Sequence, residues 1–141
     1  MPKKILLADD DPGVRETLGR VLESENYLVK LAGTAADANA QFLADLPDLV
    51  LLDLNLPDRD GWDVFGLKRR THPWVPVIVI TAMSHQYKRA AEHGVAALME
   101  KPLNLPLLLV TMTELLAGRG TRPSHPITDH PFKTLYLENQ P

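Results

Sequence analysis

The chain has 141 residues, 45% of them hydrophobic and 23% charged, which suits one globular domain with a single core and leaves little room for two. The net charge of -3 and a longest basic run of only Lys68, Arg69 and Arg70 give no footprint for nucleic acid. With no cysteine, a disulfide scaffold, a thiol nucleophile and thiolate metal sites are excluded, and without a long apolar span or signal-type start the expectation is a soluble cytoplasmic protein.

In chain order, Ile5 to Ala8 is a short apolar run that ends in Asp9, Asp10 and Asp11. Asp11 followed by Pro12 is a helix start, because the carboxylate accepts from free amides of the first turn and proline fits the first helical position. Val14, Leu18, Val21 and Leu22 repeat at helical spacing to about Glu25, Asn26 ends the helix, and Tyr27 to Ala32 reads as a second strand. Thr34 caps a second helix carrying Ala35, Ala38, Phe42 and Leu43, with Pro47 and Asp48 marking its exit. Leu49 to Leu52 is an apolar run of strand length, suited to burial on both faces, and it delivers Asp53 directly before the turn chemistry of Pro57, Asp58, Asp60 and Gly61.

A third helix, roughly Trp62 to Arg70, offers Val64, Phe65 and Leu67 to the core and basic residues to water, with Trp62 and Trp74 at its flanks as core covers. After His72, Pro73 and Pro76, the β-formers Val77 to Ile80 make another buried strand ending at Thr81. Ser84 caps a helix to His93, Gly94 stops it, and Val95 to Met99 is a short fifth strand followed by Glu100, Lys101 and Pro102. Asn104 caps a last helix with Leu105, Leu108, Leu109, Met112, Leu115 and Leu116 at helical spacing. Strands alternating with helices predict an α/β fold: a doubly wound, five-stranded parallel sheet with five helices and flavodoxin-like order 2-1-3-4-5. Residues 1–118 form the domain; residues 119–141, rich in Pro and polar residues, read as a tail or linker in which Phe132, Leu135, Tyr136 and Leu137 are the residues able to dock.

The polar residues that end strands now fall at one sheet edge: Asp9 and Asp10, then Asp53, Thr81 and Lys101. Each has a structural use alone, since Asp caps helices and Lys belongs on surfaces. Together they make a constellation. Carboxylates within about 4 Å repel by about 4 kcal/mol per pair at an effective dielectric near 20, so a cation must offset them. Mg²⁺ suits a site of few carboxylates, waters and a phosphoryl oxygen, and a carboxylate held beside it with a hydroxyl and an ammonium can attack phosphorus.

The acidic pair in ILLADDDP, the aspartate in LVLLDLNLPDRDG, the Thr-Ala of VIVITA and the Lys-Pro of LMEKP resemble, in order and strand context, the receiver domain of two-component response regulators, over about Lys3 to Gly118. The resemblance implies that Asp10 and Asp53 bind Mg²⁺ directly with the Asn55 backbone carbonyl, and that Asp9 helps through water. It implies that Asp53 accepts phosphate from a sensor histidine kinase or phosphotransfer protein, that Thr81 and Lys101 grip its oxygens, and that the bond before Pro102 is cis. It further implies a phosphorylation-driven switch acting on a downstream protein or an absent output domain, and a phospho-acceptor that assists its own phosphotransfer and dephosphorylation, not a turnover enzyme. A homodimer through helix four, strand five and helix five stays open.

Two departures from the family bear on switching. The position three before the lysine, often aromatic, is Leu98, which has no ring to trade between solvent and core alongside Thr81. The stretch from Thr81 to Lys101 is short, so the fourth helix should differ. Two other readings remain. A haloacid-dehalogenase-type phosphatase also uses a strand-end aspartate, but it needs a second Asp two positions on, where this chain has Asn55. A receiver fold that signals without phosphate is the other. His72, His85, His93, His125 and His130, with Asp129 beside the last, lack ligand spacing and read as packing or surface residues, no glycine-rich loop follows the first strand, and Asn55 and Met83 are the positions expected to set phosphate lifetime.

Overall fold

The computed structural model describes residues 2–58, 61–82, 86–118 and 134–137. Its elements are β1 (Lys4–Ala8), α1 (Pro12–Ser24), β2 (Leu28–Ala32), α2 (Ala35–Ala44), β3 (Leu49–Asp53), α3 (Gly61–Thr71), β4 (Val77–Thr81), α4 (Tyr87–His93), β5 (Ala97–Glu100), α5 (Leu105–Leu116) and β6 (Leu135–Leu137). The helix starts follow from their caps. Asp11 Oδ1 accepts from the Gly13 and Val14 amides at 2.8 and 3.3 Å, Thr34 Oγ1 from Asp37 at 3.0 Å, and Asn104 Oδ1 from Leu107 at 3.1 Å. α1 ends at Asn26, whose φ of 70° lies in the left-handed region, and α4 ends at Gly94, with φ 76°.

All pairings are parallel, in the order β2-β1-β3-β4-β5-β6. The first five strands stand in the predicted flavodoxin-like order. The sixth comes from the segment read as a tail. Alternation along each strand divides the core into two layers. Leu6, Val50, Leu52, Val77, Val79 and Leu98 pack with α2, α3 and Ala90 of α4 on one face. Ile5, Leu7, Leu49, Leu51, Ile78, Ile80 and Met99 pack with α1 and α5 on the other, where Leu137 joins them. β3 and β4 are buried along their whole lengths, as mid-sheet strands must be. No helix among the described residues is long and apolar enough to cross a membrane.

Several local expectations change. β5 starts at Ala97, two residues later than expected, because the Val95 amide donates to Ala90 O in closing α4 and only the Ala96 amide reaches Val77 O. Trp62 is buried, but Trp74 stands 64% exposed and covers nothing in the core; Leu43 is exposed too, turned from the buried stripe of α2. Lys68 is buried instead of facing water: its ammonium donates to Pro73 O at 2.9 Å and lies 5.1 Å from the Phe65 ring centroid, while its stem fills apolar space. His93 stacks on Trp62 at 4.4 Å and His72 meets Phe42 edge-on at 5.5 Å, so both histidines are packing groups. Ser84, His85, Phe132 and the tail histidines lie outside the described residues; the described cap of α4, Gln86, makes no side-chain cap bond.

Candidate functional site

Parallel strands all finish on the same side of the sheet, so the polar residues that end them must meet there. Asp9 directly follows β1, Asp53 is the last residue of β3, Thr81 the last of β4, and Lys101 directly follows β5. Register sharpens the placement: Asp53 pairs with Ile80, one residue before Thr81, and Thr81 pairs with Glu100, one residue before Lys101. The Lys101 amide also donates to Thr81 O at 2.7 Å, fixing the two strand ends to each other.

Carboxylate oxygens of Asp9, Asp10 and Asp53 lie within 4.8 Å of one another, with Asp9 and Asp53 buried and Asp10 exposed. The Lys101 ammonium sits 3.0 Å from Asp53 Oδ2 and 3.2 Å from Asp9 Oδ2. The remaining oxygens are engaged locally: Asp53 Oδ1 accepts from the Asn55 amide at 2.9 Å, and Asp9 Oδ1 from the Asp11 amide at 2.9 Å. Two of the three carboxylates, those of Asp9 and Asp53, thus share the Lys101 ammonium. Burial raises the Asp53 pKa above the ordinary aspartate value; the Asn55 amide and Lys101 oppose the rise, and the charge of Asp9 adds to it. For Lys101 burial works downward, yet hydrogen bonding and attraction to Asp53, then to Asp9, outweigh it and raise its pKa. The partly exposed lysine gains from the cluster, while burial penalises the charged form of the Asp53 carboxylate. Hard oxygen donors carrying excess negative charge fit a hard divalent cation.

The other expected residues stand as follows. Thr81 is fully buried at its strand end, Leu98 is fully buried in the layer facing α2 to α4, and Asn55 is exposed in the turn after Asp53. The Lys101–Pro102 bond is cis. Met83 lies outside the described residues.

Two contributors went unread in the sequence. Arg15 Nη1 donates to the Asp9 carbonyl at 2.8 Å and fixes the turn that aims Asp9; a Cβ on Gly33 would stand 2.8 Å from that nitrogen, so glycine clears its path. Asp58, in the turn after β3, accepts from the Ala35 and Ala36 amides at 2.7 and 2.9 Å and ties the Asp53 loop to the start of α2. Neither leaves a sequence signal beyond a glycine and one more acidic turn residue, because the arginine bonds a backbone carbonyl and Asp58 acts across 23 residues of chain.

Comparison with known proteins bears on the same residues. The family model of the response regulator receiver domain matches residues 5–113. The response regulator MprA of Mycolicibacterium vanbaalenii is 38% identical over 125 residues, covering 87% of this chain and 53% of its own, so the chain spans about half the length of this curated relative. Among solved structures, the non-phosphorylated HemR receiver domain of Leptospira biflexa is 33% identical with a TM-score of 0.76, covering 89% of this chain and all of its own. A CheY-like receiver domain protein of Methanospirillum hungatei reaches a TM-score of 0.79 at 28% identity, covering 84% of this chain and 96% of its own. TrrA of Thermotoga maritima, solved in complex with Mg(2+)-BeF, is 30% identical with a TM-score of 0.75 over 80% of this chain and 98% of its own. With its parallel sheet, its acidic cluster and its strand-end lysine, the chain belongs to the response regulator receiver domain family.

Proposed function

We propose that Asp53 is the phospho-acceptor of a phosphorylation-driven signalling switch. The observation that carries this reading is a buried carboxylate at the end of a central strand, within 4.8 Å of two more acidic groups and 3.0 Å from the Lys101 ammonium. An Asp53 oxygen attacks phosphorus as the bond to the donor imidazole breaks, giving an aspartyl phosphate. Asp9, Asp10, Asp53 and the Asn55 carbonyl would hold Mg²⁺, whose chemistry is to neutralise phosphoryl oxygens. Lys101 orients the acceptor before transfer and takes a phosphoryl oxygen afterwards, and the Thr81 hydroxyl takes another. TrrA, solved with Mg(2+)-BeF, supports this assignment, since fluoroberyllate imitates a phosphoryl group on a carboxylate.

The donor is a sensor histidine kinase or phosphotransfer protein. An apolar groove of about 500 Å³ lined by Val14, Leu18, Val21, Leu103 and Leu105 reaches Asp11 beside the acidic cluster, and a donor helix seated there brings its phosphohistidine to Asp53. The acceptor is consumed once per event and later hydrolysed, so it is not a turnover enzyme. The same reading puts the chain in the cytoplasm. The signal leaves through Thr81, Leu98 and the α4, β5 and α5 face towards a downstream protein or output domain, and a homodimer using that face would meet β6 as well as β5.

Intact-mass spectrometry after incubation with acetyl phosphate and Mg²⁺ tests the assignment, since one phosphoryl group adds about 80 Da. A single adduct is expected on the natural chain and none on Asp53→Asn. An adduct that survives this substitution would sink it.

A further inference from the structure

The outer edge of β5 is covered by a strand of three residues, too short to stand alone. Its backbone pairs Leu135, Tyr136 and Leu137 with Ala97, Leu98 and Met99, and the Leu135 amide donates to Ala96 O at 3.0 Å. Side chains fasten both ends. The buried Thr134 hydroxyl donates to Val95 O at 2.6 Å, and the Tyr87 hydroxyl of α4 donates to Thr134 O at 3.3 Å. At the other end Tyr136 donates its hydroxyl to Glu100 Oε1 at 2.6 Å, with its ring stacked on Tyr87 at 5.4 Å, while Leu137 is buried on the opposite face.

Glu100 is the point of contact with the site. It precedes Lys101, whose amide is held by Thr81 O and whose ammonium is held by Asp53 and Asp9. One peptide bond separates the residue that accepts the Tyr136 bond from the lysine held at the site, so a backbone shift at Lys101 has a short path to that acceptor.

We propose that the outer edge of β5 is a strand-docking surface for the chain's own Thr134–Leu137, and that its occupancy is coupled to the Asp53 site through Glu100 and Lys101. The coupling rests on the phospho-acceptor reading. When Lys101 follows a phosphoryl group, Glu100 moves with it, the Tyr136 bond breaks, and β6 leaves. The result is an uncovered β5 edge next to α4. Coupling is reciprocal, so undocking β6 favours the phosphorylated form in turn.

The test is amide hydrogen exchange on the full chain, before and after acetyl phosphate and Mg²⁺, with the adduct read by intact mass on the same sample. Protection at Leu135 should fall by about tenfold or more on phosphorylation, while Val50 in β3 keeps its own. Tyr136→Phe keeps the ring stack and deletes the hydroxyl; it should lower protection at Leu135 in the unphosphorylated chain and shrink the response. Leu135→Pro removes the amide that reaches Ala96 O, at a residue on the sheet rim, and should raise the phosphorylated fraction at limiting acetyl phosphate by roughly threefold. An adduct with unmoved protection at Leu135, or a Tyr136→Phe response equal to that of the natural chain, overturns the coupling alone. No adduct at all overturns the phospho-acceptor reading, and the coupling with it.

Discussion

The body of β3 and its tip are equally buried and chemically opposite. Leu49 to Leu52 are at most 2% exposed, and Asp53, the next residue, is 4% exposed. For the leucines and Val50 burial is the source of stability, about 1.5–3 kcal/mol for each side chain removed from water. For the carboxylate the same enclosure is a cost, visible in its raised pKa and only partly offset by Lys101 and the Asn55 amide. The strand body makes the fold, and it holds the tip in a position that an isolated carboxylate would leave.

Substitutions should separate the two regions by sign as well as by size. In the body, Leu51→Ala leaves a cavity at a fully buried position and should lower stability in urea unfolding by about 2–5 kcal/mol. At the tip, Lys101→Met removes the ammonium from two buried carboxylates; because Lys101 is itself 25% exposed, the loss should stay nearer 2 kcal/mol, below the 3–5 kcal/mol typical of a fully buried pair.

Asp53→Asn should do the reverse and raise metal-free stability by about 1 kcal/mol, since it deletes the penalised charge and keeps an acceptor for Asn55. If Mg²⁺ binds with a dissociation constant near 1 mM, about 10 mM should add roughly 1.4 kcal/mol to the natural chain and far less to this variant. The pH dependence carries a fixed sign. Below the unfolded value of 3.8 the carboxyl is protonated in both states and costs nothing; as pH rises from there through the higher folded value, the unfolded chain loses its proton first and stability falls. The advantage of Asp53→Asn should therefore widen with rising pH across that window and then level off, and a flat difference in melts from about pH 3.5 to 7 would place Asp53 in a solvated setting. Asp58→Ala, which frees the Ala35 and Ala36 amides, should cost a similar amount, about 1 kcal/mol, in the same urea unfolding.

The contrast also explains what could be read from the residues alone. The layers were legible because apolar runs at strand length and caps such as Asp11, Thr34 and Asn104 are local signals, and strand ends follow from topology. Asp9, Asp10, Asp53 and Lys101 were brought together for that reason: parallel order sends every strand end to one edge. Pairings between distant segments were not legible. Asp58 reads as a turn former until α2 is placed beside it, Lys68 reads as solvated until Pro73 O is found, and Leu135 to Leu137 carry too few residues to announce a strand. Leu98 reads as a missing aromatic; that a tyrosine from another strand lies beside it in register is a fact of tertiary pairing, with no periodicity to reveal it.

Because every pairing in the sheet is parallel, the molecule has a polarity that bears on how it can be handled. Lys4 opens β1 on the side opposite Asp53, whereas Leu137 closes β6 on the side that carries it. A chain anchored to a sensor surface ahead of Lys4 would present the acidic cluster outward to a soluble phosphodonor, and a dye attached just beyond Leu137 would sit on the cluster's own side. Swapping those two attachments should hinder donor access and move the dye away from the events it is meant to report.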